Sequence, residues 1–97
     1  MTKRQSEIYR QIKTDINRGE IKRDLKRWED VISFNKKHFL SITEYMKAYV
    51  NNLSEGYIHI KGISNNRPLK ALEKMGYIEA RVISCGNVHF YFAKITA

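Results

Sequence analysis

Three histidines and one cysteine have the widest chemical range in this sequence: His38, His59, His89 and Cys85. A structural zinc site needs four ligands in close pairs, and only Cys85 and His89 approach that spacing, so no metal is expected from this set. Cys85 lies in a hairpin turn between two strand-like runs, with no nearby Lys or His on its own strand face. It reads as an incidental thiol and not as a nucleophile. His59 and His89 fall on strand-like runs, where packing is the ordinary role of a histidine. Metal-free ribonuclease chemistry needs a general base with an orienting partner. Arg81, His89 and Tyr91 can share one face of a hairpin, but no orienting group is apparent beside them. A Gly-rich phosphate loop, a Ser-His-Asp order and paired carboxylates do not occur, so the chain is read as a non-enzyme without a cofactor.

The other chemistry available is recognition of a polyanion. Lys and Arg total 18 against 10 Asp and Glu, giving a net charge of +8 at pH 7. Nucleic acid is the first partner such an excess attracts, with an anionic membrane face or an acidic protein next and plain solubility as the alternative. The stretch Asn65-Asn66-Arg67-Pro68-Leu69-Lys70 and the nearby Lys74 concentrate suitable groups. Arg67 and an Asn can make bidentate contacts to guanine and adenine, whereas Lys70 and Lys74 suit phosphates. Asn65 and Asn66 are equally suited to capping a helix, and for at least one of them the cap is the expected role. Arg81 completes the set of expected nucleic-acid contacts.

Elements that position these groups follow from size and pattern. A chain of 97 residues that is 42% hydrophobic and 11% aromatic makes one globular unit with a single core, not a disordered segment. One cysteine cannot form an internal disulfide, and no apolar run approaches the length of a bilayer span. The expectation is a reduced, cytoplasmic protein without membrane contact.

Residues 1–37 carry 11 of the 18 basic and 6 of the 10 acidic side chains and form a basic helical arm; residues 38–97 form the rest of the unit. Ser6 is a possible cap for a helix carrying Ile8, Ile12 and Ile16 on one face. Gly19 permits a bend into a second stripe of Ile21, Leu25, Trp28 and Ile32, backed by a solvated face holding Lys22, Arg23, Asp24, Lys26, Arg27, Glu29 and Asp30. Ser41 and Glu44 form a capping box for a third helix over 41–53. A strand over 57–61 alternates with period two. Pro68 near the start and Gly76 at the end bracket a fourth helix over 66–75, and two strands over 77–83 and 88–95 close a hairpin around Cys85-Gly86-Asn87.

The run from Arg67 to Ile78 resembles the recognition-helix end of winged helix-turn-helix proteins, in which a helix ends in Leu, charged residues, an apolar residue, Gly and an aromatic before a strand. Leu72, Met75, Gly76, Tyr77 and Ile78 carry that resemblance, which covers residues 39–97. It implies an α+β fold, with the helical N-terminal part followed by a winged helix-turn-helix-like domain whose C-terminal β-hairpin is the wing. By the same resemblance the helix from Asn66 lies in the DNA major groove, and residues 84–87 form the wing tip. The region between 51 and 63 is longer than the usual turn, so either the turn carries an insertion or the helix over 41–53 is the family's first and its second is vestigial.

The function expected is binding of double-stranded DNA, with RNA possible, in transcriptional regulation. A protein-interaction or inhibitor module is the alternative, with Tyr9, Tyr45, Tyr49, Tyr57 and Tyr91 at an interface instead of the core rim, and a metal-independent ribonuclease is the third reading. The long apolar face of the arm either pairs with a second copy, giving a homodimer through the N-terminal helices, or folds back at Gly19 onto its own domain.

Overall fold

Thr2 sets the N-terminus of the first helix. Its hydroxyl accepts from the Gln5 backbone N–H at 3.2 Å, while the Gln5 side chain accepts from the Thr2 N–H at 2.9 Å, a reciprocal capping box. In the computed structural model, which describes residues 1–96, helix α1 therefore runs Lys3–Asn17. Ser6, the expected cap, is already inside it, because the Thr2–Gln5 pair satisfies the first free N–H groups one turn earlier.

Gly19 takes a left-handed φ of 76° and turns the chain into α2, Glu20–Lys37. The third helix, α3, spans Glu44–Ser54, and its cap is Thr43, whose hydroxyl accepts from Met46 N–H at 3.2 Å. The Ser41–Glu44 box does not form. The Asn35 side chain holds the Ser41 carbonyl at 3.1 Å, which ties Ser41 to the end of α2 and leaves Thr43 as the extended residue from which the helix starts. After these come β1 (Ile58–Ile60), α4 (Arg67–Lys74), β2 (Ile78–Cys85) and β3 (Val88–Ile95). The chain is thus α+β, helical first and closed by a hairpin.

The three strands form one antiparallel sheet in the order β1-β3-β2. Ala93 pairs with both Ile58 and Ala80, and Phe92 pairs with both His59 and Arg81. Side chains alternate along a strand, so this register assigns Ile58, Ala80 and Ala93 to one face and His59, Arg81 and Phe92 to the other. On the first face Ile8 and Ile12 of α1 and Leu69 and Leu72 of α4 are buried against Ile58, Ile78 and Ala93. On the second, Tyr49 and Leu53 of α3 are buried with Tyr57 and Phe92, and Leu25 and Trp28 of α2 pack around them. Helices α3 and α4 consequently lie on opposite faces of the sheet, and the helix packed on α4 is α1.

The arm folds back at Gly19, and Ile8 and Ile12 are buried in the chain's own core. Asp24, expected on a solvated face, is only 4% exposed. Helix α2 touches α1, β1 and α3, and Asp24 is enclosed where these meet, with Arg27 at 3.1 Å balancing its charge. Of the other charges of that cluster, Arg23 pairs on the surface with Glu20, and Lys26 with Asp30.

Candidate nucleic-acid interface

Helix α4 is held from beneath and bare above. Leu69 and Leu72 are fully buried, which orients the eight-residue helix with Arg67, Lys70 and Lys74 on its outer side. These three stand at i, i+3 and i+7, one stripe along the helix, and all are exposed. None of them has an ion-pair partner among the described residues. Glu73, the one acid of α4, is turned toward β2 and accepts the Ala80 N–H at 2.8 Å.

The two asparagines divide between the roles open to them. Asn65 Oδ1 accepts from the Arg67 backbone N–H at 3.0 Å and so serves the helix start. Asn66 occupies the cap position but makes no side-chain cap bond, which leaves its carboxamide available. Pro68 sits in the first turn, where its missing N–H costs nothing. At the other end Gly76 takes φ 83° and releases the chain into β2.

Helix α1 adds cations that the sequence reading did not select. Tyr9 packs on Tyr77, in the turn between α4 and β2, with ring centroids 5.2 Å apart, and Lys13 Nζ lies 5.3 Å from the Tyr9 ring. A shallow groove beside them includes Arg10, Lys13, Thr14 and Asn17. The signal for these residues was present as the polar flank of the Ile8–Ile12 stripe; only the packing of α1 on α4 links it to the stripe of Arg67.

Arg81 is not brought to this surface. It projects from the opposite face of the sheet, where its guanidinium pairs with Glu55, donates to Asn52 Oδ1 at 3.1 Å and lies 4.1 Å over the Tyr57 ring. The hydrogen bond to Glu55 raises its pKa further. Tyr57 in turn donates to Glu79 at 2.6 Å, which pushes the phenol upward. Arg81 is therefore a structural ligand of α3 in this arrangement. The same alternation separates it from His89 and Tyr91, which lie on the other face, so the three do not share a face as the sequence suggested. His89 Nδ1 instead meets the Ser84 hydroxyl across the hairpin at 2.8 Å. The turn between the strands, Gly86-Asn87, carries no charge.

A second concavity of about 550 Å³ opens between α1, α2 and β1. Its walls carry Glu7, Asp15, Glu20 and Asp24 against Arg4 and Lys61, a lining that repels phosphate. Glu20 is held below the usual carboxylate range by its hydrogen bond from Arg23. Nearby, the His59 ring lies among Tyr49, Phe90 and Phe92, and its Nδ1 is buried without a hydrogen-bond partner; burial drives its pKa down. Tyr49, buried in the same aromatic cluster, is pushed up to about 12. His38, His59 and His89 stand on three separate parts of the fold, and among the described residues no three metal-ligating side chains are grouped. No described helix is long and apolar enough to cross a membrane.

Comparison of the chain with family models, curated proteins and solved structures finds no match.

Proposed function

We propose that this chain binds double-stranded DNA through α4 and acts as a winged-helix-like regulator of transcription or another DNA transaction. The observation that carries the reading is the unpaired cationic stripe of Arg67, Lys70 and Lys74 on a short helix braced from below by Leu69 and Leu72. A helix enters the major groove only with a polar, cationic outer face, and its diameter with side chains, about 10–12 Å, matches the groove's width of about 12 Å. The order β1-β3-β2 with a hairpin directly after α4 supports the winged-helix comparison. In this chain α1, not α3, is the helix that would brace the recognition helix, and the neutral hairpin turn contributes little to phosphate contact.

Arg67 and Asn66 are the base-reading groups in this proposal, and Lys70 and Lys74 hold phosphates. A mobility-shift titration against salt tests it. Two phosphate contacts from α4, at Lys70 and Lys74, contribute a slope of about −1.8 in log affinity against log salt, at about 0.9 per neutralised phosphate. Absence of duplex binding at low salt refutes the proposal; an equal response to an RNA competitor would replace DNA with nucleic acid in general.

A further inference from the structure

Helices α2, α3 and α4 end with the same pair of hydrogen bonds, and only α2 does so on a bulky residue. After α3, Tyr57 N–H donates to Asn52 C=O at 2.9 Å and Gly56 N–H to Leu53 C=O at 3.0 Å; after α4, Tyr77 N–H donates to Leu72 C=O and Gly76 N–H to Glu73 C=O, both at 3.0 Å. The residue that turns left-handed there is glycine, with φ 90° and 83°. After α2, Leu40 N–H donates to Asn35 C=O at 2.8 Å and Phe39 N–H to Lys36 C=O at 3.3 Å, and the left-handed residue is Phe39, φ 57°. Among the described residues it is the one non-glycine with positive φ, a strained position for a bulky side chain. Its ring is 97% exposed, so packing does not account for it. Backbone strain that holds an aromatic ring in solvent, where glycine would relieve it, points to a use for the ring outside the chain.

Phe39 belongs to a larger apolar surface. Val31 and Phe34, one turn apart on the outer side of α2, are exposed, and Phe34 and Leu40 are each more than half exposed. His38 joins the helix to the corner, its ring centroid 4.3 Å from that of Phe34, and the bond from Leu40 N–H keeps Leu40 on the last turn. Neither concavity described above includes any of the four apolar residues. The charge around them is one-sided. Residues 31–43 contain no acid, and the acids that bound this segment carry their own lysines, Asp30 with Lys26 at 3.6 Å and Glu44 with Lys47 at 3.3 Å. Glu29 lies about 140° round α2 from Phe34. Lys36 and Lys37 are exposed and have no ion-pair partner among the described residues.

We propose that Val31, Phe34, Phe39 and Leu40 form a docking surface for an anionic membrane face, with the apolar side chains entering the boundary between headgroups and acyl chains and Lys36 and Lys37 meeting the lipid anions. Stable attachment at that boundary takes two signals, buried apolar area and opposite charge, and this corner combines them in a chain of net charge +8. What covers the corner must receive protruding rings on a convex surface and complement two unpaired lysines, which a fluid anionic interface does. A bilayer span, absent from the described helices, is not required for attachment at the surface. Helix α2 packs around α3, on the sheet face opposite α4, so the proposal does not rest on the nucleic-acid reading and leaves the stripe of Arg67 free.

Co-sedimentation of the full chain with vesicles tests it, one set of phosphatidylcholine alone and one with roughly a third phosphatidylserine. The wild type should bind the second set and not the first, and added salt should weaken that binding. Lys36→Gln and Lys37→Gln should each weaken it about fivefold. Phe39→Gly should fold with a higher thermal midpoint, because glycine suits the left-handed position, yet bind about tenfold more weakly. Phe34→Ser should also lose affinity, with little change in midpoint. Phe39→Trp should keep the affinity and show a blue-shifted emission on the anionic vesicles that the wild type, with Trp28 alone, does not show. No binding to anionic vesicles at low salt overturns the proposal. Wild-type affinity in both Phe39→Gly and Phe34→Ser overturns it as well, since attraction by net charge alone then explains the binding. A dimer in sedimentation equilibrium that Phe34→Ser disperses, with no vesicle binding, overturns it in favour of a second copy.

Discussion

Truncating Ile12 to alanine probes whether the N-terminal arm belongs to the core. Ile12 is 1% exposed and packs with Ile8 against Ile58, Leu69 and Leu72. Removing three buried carbons forfeits about 2.4 kcal/mol of transfer free energy, at about 0.8 kcal/mol for each. The cavity left between a helix and a sheet collapses only in part, which raises the loss to about 3–4 kcal/mol. For a chain of this size the thermal midpoint should fall by roughly 15–30 °C. Melting followed by circular dichroism at two protein concentrations measures this, and the wild-type midpoint should not depend on concentration, since the face of Ile8 and Ile12 is covered within one molecule. A loss below about 1 kcal/mol would mean that the arm is not packed on α4 and the sheet. A midpoint that climbs with concentration would mean that a second copy completes the core.

On the proposed DNA surface, Arg67→Ala should cost about 1–3 kcal/mol of affinity and relax sequence preference without changing the melting midpoint, and Lys70→Ala should weaken binding with the fold intact. Lys74→Ala should weaken all duplexes alike and reduce the salt slope by about 0.9, read by mobility shift across salt concentrations. Gly76→Ala should cost about 1–2 kcal/mol in denaturant unfolding from the left-handed backbone alone, since an added Cβ meets nothing within 4 Å. His59 is half-buried and its folded pKa lies below 6.5, so the unfolded chain binds the proton more readily. Stability is then full above pH 6.5 and declines as pH falls from there to the folded pKa; His59→Phe should remove that part of the pH dependence in urea titrations at several pH values.

Much of the architecture was legible because it is local. The spacing of Ile8, Ile12 and Ile16, the alternation after Val88, and Gly19 and Gly76 report on faces and turns that form within a few residues of one another, and the helices and hairpin appear where these patterns place them. Caps were less legible: Thr2 and Thr43 displaced Ser6 and Ser41 because several hydroxyls compete within one turn, and the winner depends on where the preceding chain leaves it. The stripe of Arg67, Lys70 and Lys74 was readable as a helix face, since Leu69 and Leu72 must turn inward. What the tertiary structure alone decided is which faces meet. Strand pairing sets Arg81 beside Phe92, on the side of α3, and no local pattern specifies that side. Asp24 looked like one more surface charge, yet the convergence of α1, α2 and β1 encloses it and makes Arg27 its necessary partner. Helical periodicity names the residues that share a face; burial and pairing between segments far apart in sequence determine whether that face meets solvent, another helix or the sheet.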